Sequence, residues 1–249
     1  MRAYLMEMCE KGKTAKNNFV PLQALMNVAV DVGKLKVNPW AGLKFDTSDS
    51  VGRLPWPVEE VRKLVDCDLF KNPESGDELT DAQAGRWVTL LGLHTGARIG
   101  ELAQLAVADV RVMDGVNAIE IHDRTEEGAG DKRTVKTAAG RRFIPLHSRL
   151  VELGFLRHVE RMRALGHKEV FPGLNRAKVS PPARFMIDWF REHRVAQKVI
   201  LDPRYTFHSF RHNIRSALVA QDVNERVIDS MVGHADGSVQ ARLTHVGLP

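Results

Sequence analysis

The sequence predicts a mainly α-helical fold with a small antiparallel β-sheet, which places it in the α+β class. Apolar residues recur at helical spacing in the first third of the chain and again from Ser148 onward. Between these regions, residues 110–123 alternate in polarity around an Asp-Gly pair, which is typical of a β-hairpin. Residues 134–147 give a second pattern of strand, turn and strand, in which Gly140 supplies the turn.

The chain opens with two predicted helices. The first covers residues 1–10, and the second covers residues 15–32, where a broad apolar stripe follows the helical repeat. Pro21 falls inside this stripe, so we expect it to kink the helix or to shift its start. Gly33 and Pro39 then end the helix.

A polar segment at residues 47–56 contains Gly and Ser and is typical of an interdomain linker. Two helices are too few for an independent core, so residues 1–46 are predicted to be a partial helical domain. This predicts that the sequence is a shortened protein or a fragment. Residues 57–249 form the second predicted domain, which begins with three helices before the first hairpin and returns to helices after the second.

Composition indicates a soluble globular protein. The chain has 249 residues, of which 43% are apolar and 27% charged. It contains no apolar stretch long enough to span a bilayer and no signal-peptide pattern, so we expect a cytoplasmic protein. Cys9 and Cys67 cannot form a disulfide framework. The formal charge of +5 permits an anionic partner without requiring one.

Residues 205–221 predict a helix with a cationic flank. At about 100° per residue, its apolar residues share one stripe, and the side chains of His208, Arg211 and Arg215 lie along the border of that stripe. Neighbouring cations depress the pKa of an imidazole, so this group favours an anionic ligand such as phosphate or carboxylate. The alternative is that both arginines are solvated and that His208 caps the helix or fills a gap.

A metal site is a further alternative, since His208 and His212 stand four residues apart and His234 could supply a third ligand. No acidic residue accompanies the histidine pair, and the nearby arginines would oppose a divalent cation. We therefore expect no metal ion at this site.

Three more elements carry candidate site residues. Arg98 stands at a predicted helix start, where the helix dipole favours anions, and Glu101 lies three residues on, within reach of its guanidinium. Lys136 lies on a predicted strand just before a turn, and His234 follows a glycine that can end a helix. Each element also has an ordinary interpretation. The Arg98–Glu101 pair can be a surface ion pair, Lys136 can be an ordinary hairpin lysine, and His234 can be a surface histidine.

In this order and spacing, the elements resemble the motifs of the tyrosine recombinases, the phage integrase family. The matching segments are Thr95 to Leu102, Lys136-Thr137 with Arg142 to Leu146, His208 to Arg211, and Val232 to His234. The resemblance implies the recombinase catalytic-domain fold for residues 57–249, and the end of a core-binding domain for residues 1–46. It also implies double-stranded DNA and other recombinase subunits as partners, with no cofactor, metal or membrane.

The resemblance implies a role for each matched residue. Arg98 and Arg211 would bind the nonbridging oxygens of the scissile phosphate, and Glu101 would orient Arg98. His208 would help to move the proton of the nucleophile and His234 would hydrogen-bond the phosphate. Lys136 would protonate the departing 5' oxygen.

The family nucleophile is a tyrosine, and Leu243 occupies its position, nine residues after His234. Of the two tyrosines in the chain, Tyr4 lies in the first helix, and Tyr205 is expected to pack at a helix start. The sequence therefore predicts an integrase-type recombinase domain that binds DNA and cannot cleave it. The alternatives are a non-catalytic DNA-binding regulator that competes for recombination sites and, more remotely, a nicking hydrolase that uses water.

Overall fold

The computed structural model describes residues 1–9, 11–48, 50–71, 80–122, 141–175 and 182–233. The chain divides into two units, Met1–Gly52 and Arg53–Pro249. Among the described residues, no helix has both the length and the apolar character needed to cross a bilayer.

The first unit consists of helices α1 (Arg2–Met8) and α2 (Gly12–Asp31) followed by an irregular segment. Helix α2 runs through Pro21 without ending there. Its buried ring Phe19 packs against Trp40, with ring centroids 6.0 Å apart, and against Phe45, at 5.1 Å. This small aromatic cluster joins the helix to the segment that follows it.

The second unit is built from helices around one hydrophobic core. Its described helices are α3 (Val58–Val65), α4 (Asp68–Lys71), α5 (Asp81–Thr95), α6 (Ile99–Ala103), α7 (Ser148–Glu152), α8 (Phe155–Ala164), α9 (Pro182–Ala196), α10 (Ser209–Ala220) and α11 (Glu225–Val232). Short 3₁₀ turns cover Val107–Asp109 and Pro172–Asn175. Helix α5 lies in the middle of this unit and packs against α6, α9 and α10. Its first residue follows Thr80, whose hydroxyl accepts a hydrogen bond from the Gln83 amide and caps the helix.

Three strands form an antiparallel sheet in the order β1 (Val110–Met113), β2 (Val116–Ile121) and β3 (Arg142–Pro145). The first hairpin is confirmed, because Asp114 and Gly115 connect β1 to β2 with φ of 48° and 80°, as a tight hairpin turn requires. Of the second predicted hairpin, β3 is confirmed, and its other strand and turn lie outside the described residues. The predicted class, mainly α with a small antiparallel sheet, is confirmed.

The end of the predicted linker packs into the second unit. Trp56 is buried there, and its indole N–H donates to the carbonyl of Thr206 at 2.9 Å. Its ring lies 5.3 Å from the ring of Tyr205 and 6.1 Å from that of Phe210. These contacts fix the segment that leads into α10.

Arg86 is a charged residue buried in this core. The side chain on α5 is fully buried, and none of its guanidinium nitrogens has a hydrogen-bond partner among the described residues. Burial lowers the pKa of Arg86 to about 10, and stacking on the Trp87 ring at 4.2 Å only partly offsets the loss of hydration.

We expect Arg86→Met to stabilise the protein by about 1 to 3 kcal/mol, because a methionine of similar length fills the space without burying a charge. Urea denaturation of the two proteins would measure the difference. Arg149→Met is the matched control, since the Arg149 side chain is 59% exposed and should change stability by less than about 0.5 kcal/mol. A destabilised Arg86→Met protein would mean that the guanidinium is hydrogen-bonded in solution.

Candidate anion-binding site

The site begins at the turn after α5. Gly96 has φ of 64°, in the left-handed region that glycine adopts without strain, and it reverses the chain between α5 and α6. The Thr95 hydroxyl donates to the Leu91 carbonyl at 2.6 Å and accepts the Ala97 amide at 3.2 Å, which holds the turn from both sides. The turn places Arg98 at the residue before α6.

Arg98 is held by Glu101. The backbone N–H of Arg98 donates to Glu101 Oε2 at 2.9 Å, and its Nη1 donates to Glu101 Oε1 at 2.7 Å. The Glu101 side chain is 4% exposed, whereas that of Arg98 is 28% exposed. The carboxylate therefore fixes the inner edge of the guanidinium and leaves part of it accessible to a ligand.

A second arginine, Arg142 at the start of β3, binds the same carboxylate from within the protein. Its Nη2 donates to Glu101 Oε2 at 2.7 Å, and its Nε donates to the carbonyl of Met231 at 2.7 Å. Burial alone would raise the pKa of Glu101, but the hydrogen bond and charge of Arg142, together with Arg98, lower it below its usual value. Glu101 is therefore ionised at neutral pH.

Arg211 completes the cluster from the first turn of α10. It is buried, and its Nη1 donates to the carbonyl of Gly96 at 3.2 Å, so the turn that positions Arg98 also anchors Arg211. Burial and the positive charges of Arg98 and Arg142 lower the pKa of Arg211 to about 10. The charges of three guanidinium groups thus act on one another here, and the carboxylates of Glu101 and Asp229 oppose them.

His208 lies immediately before α10, at the surface beside these cations. Desolvation by the surrounding protein, followed by the charges of Arg211, His212 and Arg98, lowers the pKa of His208 to about 4. The imidazole is therefore neutral at pH 7 and can both donate and accept a hydrogen bond. A bound anion would offset the neighbouring cations and raise this pKa.

The structure brings together four of the residues singled out in the sequence: Arg98, Glu101, His208 and Arg211. The other three positions, Lys136, His234 and Leu243, lie outside the described residues. The residue before His234 is at the site, however, because the carbonyl of Gly233 accepts a hydrogen bond from Arg98 Nη2 at 3.3 Å.

Two residues, Arg215 and Arg142, lie in surroundings that the sequence pattern does not predict. Arg215, placed beside Arg211 by helical spacing, instead pairs with Glu225 at 2.6 Å and with Asp229, both on α11. The sequence shows Arg142 only as part of a motif and does not indicate its place in the cluster. The available signal was a charged residue on a strand whose alternate residues, Arg142 and Ile144, are buried.

No group of three or more potential metal ligands occurs among the residues that the structure describes. The described side chains that converge here are mainly guanidinium groups, which repel metal cations and bind carboxylate or phosphate oxygens as planar forks. The geometry therefore fits an oxyanion that contacts Arg98 at its exposed edge, with His208 beside it.

Comparison with known proteins gives a consistent result. The sequence profile of the phage integrase family matches residues 67–247. A XerC-like tyrosine recombinase of Caldanaerobacter subterraneus subsp. tengcongensis is 25% identical, and the match covers 99% of this chain and 66% of the relative. The integrase of Staphylococcus phage L54a is 29% identical over 61% of this chain and 45% of its own length. The chain thus spans at most about two thirds of the length of these relatives.

Solved structures show the same fold at low sequence identity. The integrase of transposon Tn1549, bound to a circular intermediate DNA, superposes with a TM-score of 0.66 at 20% identity, covering 94% of this chain and 76% of that one. A lambda integrase tetramer bound to a Holliday junction gives a TM-score of 0.59 at 20% identity, covering 94% of this chain and 62% of that one. The predicted recombinase fold is confirmed.

We expect Glu101→Gln to destabilise the protein by about 3 kcal/mol, because it removes the charge that pairs with the partly exposed Arg98 and the buried Arg142. The folded-state pKa of Glu101 is depressed, so its contribution is present above the unfolded value of about 4.5 and is lost as pH falls through the folded pKa. Urea denaturation at pH 7 and at pH 3 would show a smaller acid-induced loss of stability in the variant. The exposed Glu152→Gln is the control.

We also expect the His208 imidazole to titrate with a pKa of about 4 in the free protein. Arg211→Gln should raise this pKa part of the way toward 6.5, since desolvation remains after the charge is removed. Following the imidazole resonances by NMR against pH would test both values. A pKa near 6.5 in the unmodified protein would show that His208 is not coupled to the cluster.

Proposed function

Because the chain belongs to the phage integrase family, we propose that it is the DNA-binding and phosphate-binding part of a site-specific tyrosine recombinase that cannot form the covalent intermediate. The observation that supports this function best is the cluster in which Glu101 fixes the partly exposed Arg98 guanidinium, while the Gly96 carbonyl fixes the buried Arg211 whose positive charge acts on the same site. Leu243 at the nucleophile position supports the loss of cleavage.

We infer that the ligand is duplex DNA. The Tn1549 and lambda integrases are recorded in complexes with DNA, and the lambda protein is there a tetramer. A net charge of +5 suits a polyanion. In this proposal, residues 57–249 are the catalytic domain, residues 1–46 belong to a core-binding domain, residues 47–56 link them, and further recombinase subunits bind beside the chain on DNA.

The chemistry of DNA strand transfer explains the cluster. Attack on a phosphodiester adds negative charge to the nonbridging oxygens, and prepositioned cations stabilise that charge without reorganisation. Arg98 meets this requirement with its exposed edge, and Arg211 adds a second positive charge close to it. His208, neutral at pH 7, accepts a proton from an attacking hydroxyl or donates to a phosphate oxygen. Lys136 and His234 are proposed to protonate the leaving oxygen and to hydrogen-bond the phosphate, respectively.

The missing group is the nucleophile. Leu243 has no lone pair with which to attack phosphorus, and the chain has two tyrosines. Tyr4 is exposed on α1 in the first unit. Tyr205 packs against Trp56 and is committed to the contacts that fix the start of α10. We therefore propose that the chain binds a scissile phosphate without cutting it.

A nicked suicide duplex, built on a sequence that the protein selects from random DNA, tests this function. We expect no covalent adduct on a denaturing gel for the unmodified chain and an adduct for Leu243→Tyr. Leu243→Phe is the matched control, because it adds the ring without the hydroxyl. Adding Arg211→Ala to Leu243→Tyr should abolish the adduct. An adduct from the unmodified chain would refute the loss of cleavage, and a failure to bind duplex DNA would refute the function itself.

The same leucine supports a second function, that of a regulator which occupies recombination sites and excludes an intact recombinase. It differs from the first in requiring tight, sequence-selective binding whose affinity falls steeply with salt. Competition between this chain and a cleaving recombinase on one duplex distinguishes the two, because only a regulator blocks cleavage at concentrations near its own Kd.

A further inference from the structure

Arg142 is placed to organise the site without touching a ligand. Its side chain is 3% exposed, and each of its three guanidinium nitrogens donates to Glu101 or to the Met231 carbonyl. Its donors face inward, toward Glu101 and toward the Met231 carbonyl. A buried arginine that binds only protein groups acts on a ligand through those groups.

One end of this arginine controls Arg98. Both oxygens of Glu101 are shared between the two arginines: Oε2 accepts from Arg142 Nη2 at 2.7 Å and from the Arg98 amide at 2.9 Å. Oε1 accepts from Arg98 Nη1 at 2.7 Å and from Arg142 Nη1 at 3.4 Å. The carboxylate can rotate only if it loses Arg142, so Arg142 fixes the orientation that Glu101 imposes on Arg98.

The other end controls the turn before His234. Arg142 Nε holds the carbonyl of Met231 in the last turn of α11. Gly233 ends that helix with φ of 68°, and a Cβ built on it would lie 2.8 Å from Arg142 Nη1. The guanidinium therefore packs directly against the glycine backbone, whose carbonyl in turn accepts from Arg98 Nη2. The contacts close into a ring through Arg98, Glu101, Arg142 and Gly233.

We propose that Arg142 is a positioning residue, which holds the Arg98 guanidinium and the Gly233 turn in one fixed arrangement for phosphate binding. The fork geometry is what matters, because three separate acceptor directions are satisfied by one planar group. A lysine at this position keeps the positive charge, but it has one ammonium nitrogen in place of the three guanidinium nitrogens of arginine. The effect of Arg142 on DNA binding can be tested only if the proposed function is correct, and in that respect this inference rests on it. A second measurement that does not involve DNA is therefore needed.

The DNA-free readout is amide hydrogen exchange at Gly233. We expect Arg142→Met and Arg142→Lys each to speed this exchange by about tenfold or more, since a charge-assisted hydrogen bond at the end of α11 is lost. Arg86→Met is the matched control, because it removes another buried arginine, on α5, whose described contacts do not include Arg98, Glu101, Arg142 or Gly233, and exchange at Gly233 should not become faster. Exchange in Arg142→Lys equal to that of the unmodified protein would overturn the inference.

The DNA readout is a double-mutant cycle on a duplex selected by the unmodified chain. Arg98→Ala and Arg142→Met should each raise Kd by about tenfold. Because Arg142 is proposed to act in part through Arg98, the double variant should lose clearly less than the roughly hundredfold to which two independent effects would multiply. Multiplication would overturn the inference. If the unmodified chain binds no duplex, the proposed function fails, and exchange at Gly233 still decides the role of Arg142.

Discussion

The site depends on one buried carboxylate that serves more than one cation. Glu101 binds Arg98 and Arg142 directly, and Arg211 lies within the range of all three charges. The Glu101 charge stabilises the folded cluster, because without it the repulsion among the guanidinium groups at short range would be larger. It also leaves a positive excess that an oxyanion can satisfy. The same interaction thus explains the stability of the cluster and the positive charge on which the proposed phosphate binding depends.

The backbone supports this arrangement at two glycines. Gly96 reverses the chain, so that its carbonyl accepts a hydrogen bond from Arg211 and Arg98 follows two residues later. Gly233 ends α11 in contact with both Arg98 and Arg142. Elements from distant parts of the chain therefore meet through backbone groups as well as side chains. Such contacts are rigid, because a helix end moves only with its helix, and rigidity is what prepositioned charge stabilisation requires.

Local chemistry made much of the fold and part of the site predictable. The β1–β2 hairpin follows from an Asp-Gly turn, and the Arg98–Glu101 pair from a spacing of three residues at a helix start. The partnership of Glu101 with Arg142 spans 41 residues and depends on how β3 packs beside α6. Helical spacing placed Arg215 beside Arg211, but α11 supplied acidic partners from outside that helix. Tertiary contacts of this kind leave no periodic trace in the sequence.

The positive excess at the cluster has a practical consequence for the isolated protein. Guanidinium groups that repel one another lower the stability of the folded chain when no anion lies between them. Solutes that bind the folded state alone stabilise it by mass action. From the proposed phosphate binding we expect sulfate or phosphate in a purification buffer to stabilise this chain more than chloride at the same ionic strength, which acts mainly by screening.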